Sequence, residues 1–310
     1  MVHHILGIRD LSKKEILSLI KLAIDIKKTP KKYSNSLYEK TLLLFFEAPS
    51  LRTEISFETA IFQMGGEAID YHTETSPWKI GKETLEDVAK VISQYCDIAA
   101  LRIYSHEELL KFAKNSTIPI INAMDNFEHP CQILGDLMTI FEKKGNLKDL
   151  TLAYLGDSNN NVTHSLMYGC SKLGININIG CPNNKEFSPL PKVLKESKKL
   201  AKTNKCFMNI YNNPKEAVKN ADIVYTDSFM SYHIKENEKK RRLKVLMAYQ
   251  VNKTLMNHAK KHALFMHCLP ATRGEEVTDD VIDGKRSIIL QQAKNRLYTE
   301  KAILLKLLKR

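Results

Sequence analysis

The sequence predicts an α/β protein of two doubly wound parallel-sheet domains linked by interdomain helices. Three observations carry that expectation. Short apolar β-type runs alternate with segments of helical period, the pattern of parallel strands with helices on both faces of a sheet. At 310 residues the chain exceeds one comfortable hydrophobic core, so two domains are expected. Finally, the polar residues with chemical potential collect just after the strands, where open α/β sheets bind their ligands.

Taken in order, Ser12 ahead of Lys13-Lys14-Glu15-Ile16-Leu17 forms a capping-box start for a helix running to about Lys28. Strands are expected at 41–47, 67–71, 97–103 and 118–121, each followed by a helical segment. A helix from about His129 to Lys144 then ends near Gly145-Asn146, the expected boundary between a first domain, 1–145, and a second, 146–290. The second series of strands is expected at 150–156, 175–180, 205–210, 222–226, 264–267 and 287–290. A last amphipathic helix, roughly 291–309, is expected to pack back on the first domain, so that 291–310 completes it.

A hydrophobic content of 43% with 26% charged residues describes a soluble globular protein. No apolar run approaches the roughly 20 residues that span a bilayer, so no membrane partner is expected. The start MVHHILGIRDLSKKEIL has no apolar stretch with a cleavage site, and the six cysteines are scattered without C-x-x-C pairs, so a cytoplasmic protein with reduced thiols is expected. The formal charge of +12 raises nucleic acid as a partner, but the lysines are spread over helical faces. The densest run, Lys239-Lys240-Arg241-Arg242, follows Glu236 and Glu238 and reads as a solvated helix, so no nucleic acid is expected. A basic surface also draws in a small phosphorylated substrate.

The stretch from Phe45 to Ala60 combines a buried strand, a break at Pro49 and a helix start that Ser50 can cap. First-turn N–H groups, the positive end of the helix dipole, the Ser50 and Thr53 hydroxyls and the Arg52 guanidinium then converge, which suits a phosphate dianion. Strand 97–103 delivers Arg102. In Glu128-His129-Pro130-Cys131-Gln132, Pro130 fits the first helical position, with His129 at the cap and Gln132 one turn on. In the second half, Asp157-Ser158-Asn159-Asn160-Asn161 opens a helix without the G-x-G-x-x-G of a dinucleotide site, and its asparagines can cap or bind an amino-acid head group. Asp227 at a strand end can take an ammonium. Cys268 ends a buried strand, and its neighbour His267 is expected to point to the opposite face.

Together these segments resemble the aspartate and ornithine carbamoyltransferase family over essentially the whole chain. The resemblance rests on Ser50-x-Arg52-Thr53, Arg102, His129-Pro-x-Gln132, Asp157 with the asparagines, Tyr225-Thr226-Asp227, Tyr249-Gln250-Val251-Asn252, His267-Cys268-Leu269-Pro270 and Asn295-Arg296-Leu297. The His-Cys-Leu-Pro segment is similar to the ornithine branch. The resemblance implies attack of an amine on carbamoyl phosphate, with neither a metal nor an organic cofactor. It implies Ser50, Leu51, Arg52, Thr53, Arg102, His129, Gln132 and Arg296 as the carbamoyl phosphate site. Asn161, Asp227, Ser231, Tyr232, Cys268 and Leu269 are implied as the ornithine site, with Arg102, His129, Asp227 and Cys268 catalytic. A homotrimer or a multiple of trimers is implied as well.

Three positions depart from the family pattern. Glu54 stands where a second arginine usually follows Ser-x-Arg-Thr, and Lys79 or Lys82 of a neighbouring subunit is the expected counter-charge. Tyr232-His233 replaces Met-Gly in the loop over the amine, and Trp78 stands where a glutamine reaches the neighbouring subunit's site. Glu83-Thr84-Leu85-Glu86-Asp87 and the stretch 270–277 look like the putrescine branch. Ornithine is the expected amine and putrescine the alternative; an inactive paralogue with a basic binding surface is the reading of a different class.

Overall fold

The computed structural model describes residues 2–231 and 234–309. Tyr232 and His233 therefore lie outside the described residues. The chain divides into two compact units, one running up to Met138 and resuming at Lys294, the other Thr139–Ala293. Both divisions fall inside helices, where the sequence offers no turn to mark them.

In the first unit α1 (Lys13–Lys28) precedes β1 (Thr41–Phe46), α2 (Leu51–Phe62), β2 (Glu67–His72), α3 (Leu85–Tyr95), β3 (Ile98–Arg102), α4 (His106–Asn115), β4 (Ile120–Met124) and the start of α5 (Pro130–Lys144). Ser12 and Glu15 close the expected capping box on α1. The four strands are parallel in the order β2-β1-β3-β4. Every residue of β3 is buried, as a parallel strand covered on both faces requires. Because β1 and β3 are neighbours whose connections leave toward opposite edges, a crevice opens at their carboxyl ends. Ser50 follows β1 there, and Arg102 closes β3, paired in register with Phe46.

The second unit continues with β5 (Thr151–Leu155), α6 (Asn161–Leu173), β6 (Asn176–Gly180), α7 (Pro191–Thr203), β7 (Met208–Tyr211), α8 (Pro214–Val218), β8 (Ile223–Thr226), α9 (Lys239–Leu246), α10 (Lys253–Met256), β9 (Leu264–His267) and α11 (Asp279–Ile282). Its five parallel strands run β7-β6-β5-β8-β9, so β5 and β8 form a second switch point. Gly156 leaves β5 at φ +115, and a Cβ there would come within 2.8 Å of the Phe229 ring, so the turn into the asparagines needs glycine. The expected strand at 287–290 is absent among the described residues. Ser287 makes one bridge to Phe265, and α12 (Ile289–Leu308) begins at once, with Gln292 N donating to Ile288 O at 2.9 Å.

Candidate active site

In the first unit, Ser50 takes extended backbone and its Oγ accepts from Thr53 N at 3.3 Å, capping α2 and leaving first-turn N–H groups at the strand ends. The turn ahead of α5 is held by Asp125, whose Oδ1 accepts from Phe127 N at 2.7 Å and Glu128 N at 2.6 Å. The Glu128 carboxylate is tied in turn to Ile8 N at 2.8 Å. This fixes His129 immediately before Pro130. Burial, followed by the positive charges of Arg296, Arg102 and Arg52, holds the His129 imidazole far below its usual range. It is a neutral hydrogen-bonding group beside three guanidinium groups.

Arg296 on α12 organises this cluster. Its Nε and Nη2 donate to Glu300 Oε1 at 3.0 and 2.6 Å, its Nη1 to Gln132 Oε1 at 2.7 Å, and its Nη2 to Thr53 Oγ1 at 3.2 Å. Gln132 Nε2 donates to Asp136 Oδ1 at 2.8 Å, so both ends of that amide are oriented. Arg296, Thr53, Gln132 and Glu300 are all buried, whereas Leu51 is 70% exposed at the helix start. Arg52 is half-buried. Sequence reading missed Glu300, although its i,i+4 spacing from Arg296 is a legible helical pair.

Lys79 is this chain's own partner for Glu47, whose carboxylate also accepts from Tyr104 N at 2.6 Å. Its Nζ lies 4.2 Å from the centroid of the Trp78 ring. Trp78 is half-buried against Phe45, with ring centroids 5.8 Å apart. Within this chain Lys79 thus neutralises Glu47 and not Glu54.

In the second unit, Asn160 is a cap. Its Oδ1 accepts from Thr163 N at 2.8 Å, and its Nδ2 donates to Tyr154 OH at 3.0 Å and Asp157 O at 2.7 Å. Both ends of the amide are engaged inside the fold, which leaves Asn161, half-buried at the first position of α6, as the head-group candidate. Asp227 accepts from Ser228 N at 2.8 Å and from the Cys268 thiol at 2.9 Å, joining the ends of β8 and β9. Both residues are half-buried, as are Ser231 and Leu269.

Two sequence expectations are corrected. His267 does not face away from Cys268: side-chain atoms of Asp227, His267 and Cys268 lie within 4.8 Å of one another. The strand ends at His267, so alternation no longer governs the next residue, and Leu269 turns at φ 60 with its N donating to His267 Nδ1 at 2.8 Å. The remaining Nε2 faces Glu276, 3.5 Å away. Arg242 is the second correction. It is 2% exposed and not solvated; it pairs with buried Asp157, reaches Glu186 at 3.0 Å, donates twice to Phe229 O at 3.2 Å and stacks on Phe187. Nothing in Lys-Lys-Arg-Arg distinguishes the one inward guanidinium from its neighbours.

No helix among the described residues is long and apolar enough to cross a membrane. The geometry can be set beside known proteins. Residues 3–142 match the profile described as aspartate/ornithine carbamoyltransferase, carbamoyl-P binding domain, and residues 148–307 match its Asp/Orn binding domain. Ornithine carbamoyltransferase of Anoxybacillus flavithermus is 43% identical over 308 residues, covering 98% of this chain and 96% of that one. The solved ornithine carbamoyltransferase of Pyrococcus furiosus superposes with a TM-score of 0.92 at 40% identity, over 97% of this chain and 96% of that one. The Giardia lamblia ornithine transcarbamoylase structure gives 0.91 at 40% identity, over 100% and 99%. With both halves matched almost end to end, the chain belongs to the aspartate/ornithine carbamoyltransferase family.

Proposed function

We propose that this chain transfers the carbamoyl group of carbamoyl phosphate to the side-chain amine of L-ornithine, giving L-citrulline and phosphate. The observation that carries the reading is the strand-end cluster of the first unit, where an N-capped helix start meets Arg296 bonded to Thr53 and Gln132, and where burial and the charges of Arg296, Arg102 and Arg52 hold His129 neutral. Ser50, Leu51, Arg52 and Thr53 hold the phosphate through helix-start N–H groups, hydroxyls and a guanidinium. Arg102, His129 and the Thr53 hydroxyl donate to the carbonyl oxygen as it gains charge. Gln132 Oε1, which keeps a lone pair beyond the one Arg296 uses, accepts from the carbamoyl NH2 and fixes its plane.

The amine nitrogen forms the new C–N bond with its lone pair, the C–O bond to phosphate breaks, and phosphate departs with the bonding electrons and takes up the proton that the new C–N nitrogen sheds. An ammonium near its solution pKa of ~10.4 has no lone pair, so the amine must first lose a proton. Asp227 and Cys268 orient that amine, and Asn161 and Asp227, with Ser231 nearby, grip the α-amino and α-carboxylate groups. We also read the chain as a homotrimer or a multiple of one. Exposed Ile55 and Phe62 on α2 and Val91 and Tyr95 on α3 support an apolar subunit contact, which light scattering would weigh. The six free cysteines support a reducing, cytoplasmic setting.

Phosphate release from carbamoyl phosphate with a panel of amines tests the reaction. The specificity constant for ornithine is expected to exceed that for putrescine at least about tenfold, or ~1.4 kcal/mol. A diamine leaves the donors for an α-carboxylate unmatched. Asn161→Ala narrows the gap by hurting ornithine. Faster use of putrescine overturns the amine, and no phosphate release with any amine overturns the reaction.

A further inference from the structure

We propose that Glu300 is a positioning residue of the anion half-site, holding Arg296 on Thr53 and Gln132 and cancelling its charge until a phosphate dianion arrives. The inference rests on the carbamoyl phosphate reading above. Glu300 Oε1 takes two of the five guanidinium N–H bonds, and the two others go to Gln132 Oε1 and Thr53 Oγ1, so one N–H of Arg296 is left for a ligand. Glu300 has no solvent exposure and Arg296 is 2% exposed, so neither charge is screened by water. The carboxylate sits one guanidinium away from the Thr53 hydroxyl. When Glu300 is ionised, Arg296 contributes chiefly geometry to the site, and Arg52 and Arg102 are then the main charges that attract the phosphate.

The consequence is a pair of opposite signs. Glu300→Gln keeps an oxygen that can accept from Arg296 but removes the counter-charge. The ligand-free variant then holds a buried guanidinium that has lost the carboxylate it bonds to, with Asp136 the acidic group still facing it, and its melting temperature falls by at least about 3 °C. A bound dianion now gains the charge that Glu300 had offset, so calorimetric affinity for carbamoyl phosphate tightens about threefold to tenfold. A carboxylate with a merely structural role would lose stability and affinity together.

A measurement on the native chain covers failure of the variant to fold. Burial pushes the Glu300 carboxyl up to about 7, against the pull of Arg296 on its own helix and of Ser56 on α2. From α5, Cys131 and Asp136 face the Arg296 end of the pair, and burial keeps the Cys131 thiol protonated. A bound dianion raises the proton affinity of Glu300 further. Titrating carbamoyl phosphate near pH 7 in two buffers of different ionisation enthalpy should then read net proton uptake. Weaker or unchanged affinity in Glu300→Gln, or binding to the native chain without proton uptake, overturns the role of Glu300 alone. Failure of the native chain to bind carbamoyl phosphate overturns the functional reading beneath it.

Discussion

Each unit buries an arginine–carboxylate pair beside its strand ends, and the two pairs touch different things. In the first unit Arg296, paired with Glu300, bonds directly to the side chains of Thr53 and Gln132, two ligand candidates. In the second, Arg242, paired with Asp157, bonds to the Phe229 carbonyl, while Asp157 itself fixes Asn159 N at 2.9 Å. The first pair thus fixes the side chains of the proposed anion site. The second sets the path of two loops, the one leading to Asn161 and the one leading from Asp227 to Ser231. A buried pair is weak evidence for stability gained, but strong evidence for what fails when one partner is removed.

The largest expected effect breaks the second pair. Arg242→Met leaves the buried Asp157 carboxylate without its guanidinium, at about 3–5 kcal/mol of unfolding free energy in urea titrations. Where the variant still folds, the Michaelis constant for ornithine should rise while that for carbamoyl phosphate stays within about twofold, as expected for a perturbation confined to the second unit's loops. A loss under roughly 1 kcal/mol would mean the loops hold themselves, as a surface pair would allow. Equal damage to both substrates would erase the contrast between the units.

Next in size is the anion loop. Arg52→Ala removes a half-buried guanidinium from the start of α2, and the loss of its charge-assisted bonds should cost about 1.5–3 kcal/mol in carbamoyl phosphate binding, with a further loss in kcat. Ornithine affinity and the melting temperature should barely move. Full turnover of the variant at saturating carbamoyl phosphate would remove Arg52 from the site.

The smallest effect sharpens the electrostatic side of the comparison. Glu54 lies in the first turn of α2, where a carboxylate favours the helix by about 0.3–1 kcal/mol but opposes a bound dianion. With Lys79 engaged by Glu47, Glu54→Arg should lower the Michaelis constant for carbamoyl phosphate about twofold to fivefold. Collapse of affinity instead would place Glu54 in a compensated network, like Glu300.

What the sequence by itself determined is what depends on neighbours along the chain. The capping box at Ser12, the cap at Ser50 and nine of the ten expected strands follow from local periodicity and cap chemistry. The exception, 287–290, is as apolar as a strand, and only the adjoining helix start decides against it. The strand-end residues were also legible, because parallel sheets put their ligand residues at carboxyl ends. Tertiary structure alone decided which charges meet and which lone pairs are already used. Asp157 and Arg242 are 85 positions apart, and Thr53 and Arg296 are 243 apart. Asn160 and Asn161 are adjacent, yet one is consumed as a cap and the other begins the helix. Such outcomes depend on distances of a few ångströms after folding and on the loss of water around each group, and chain spacing encodes neither.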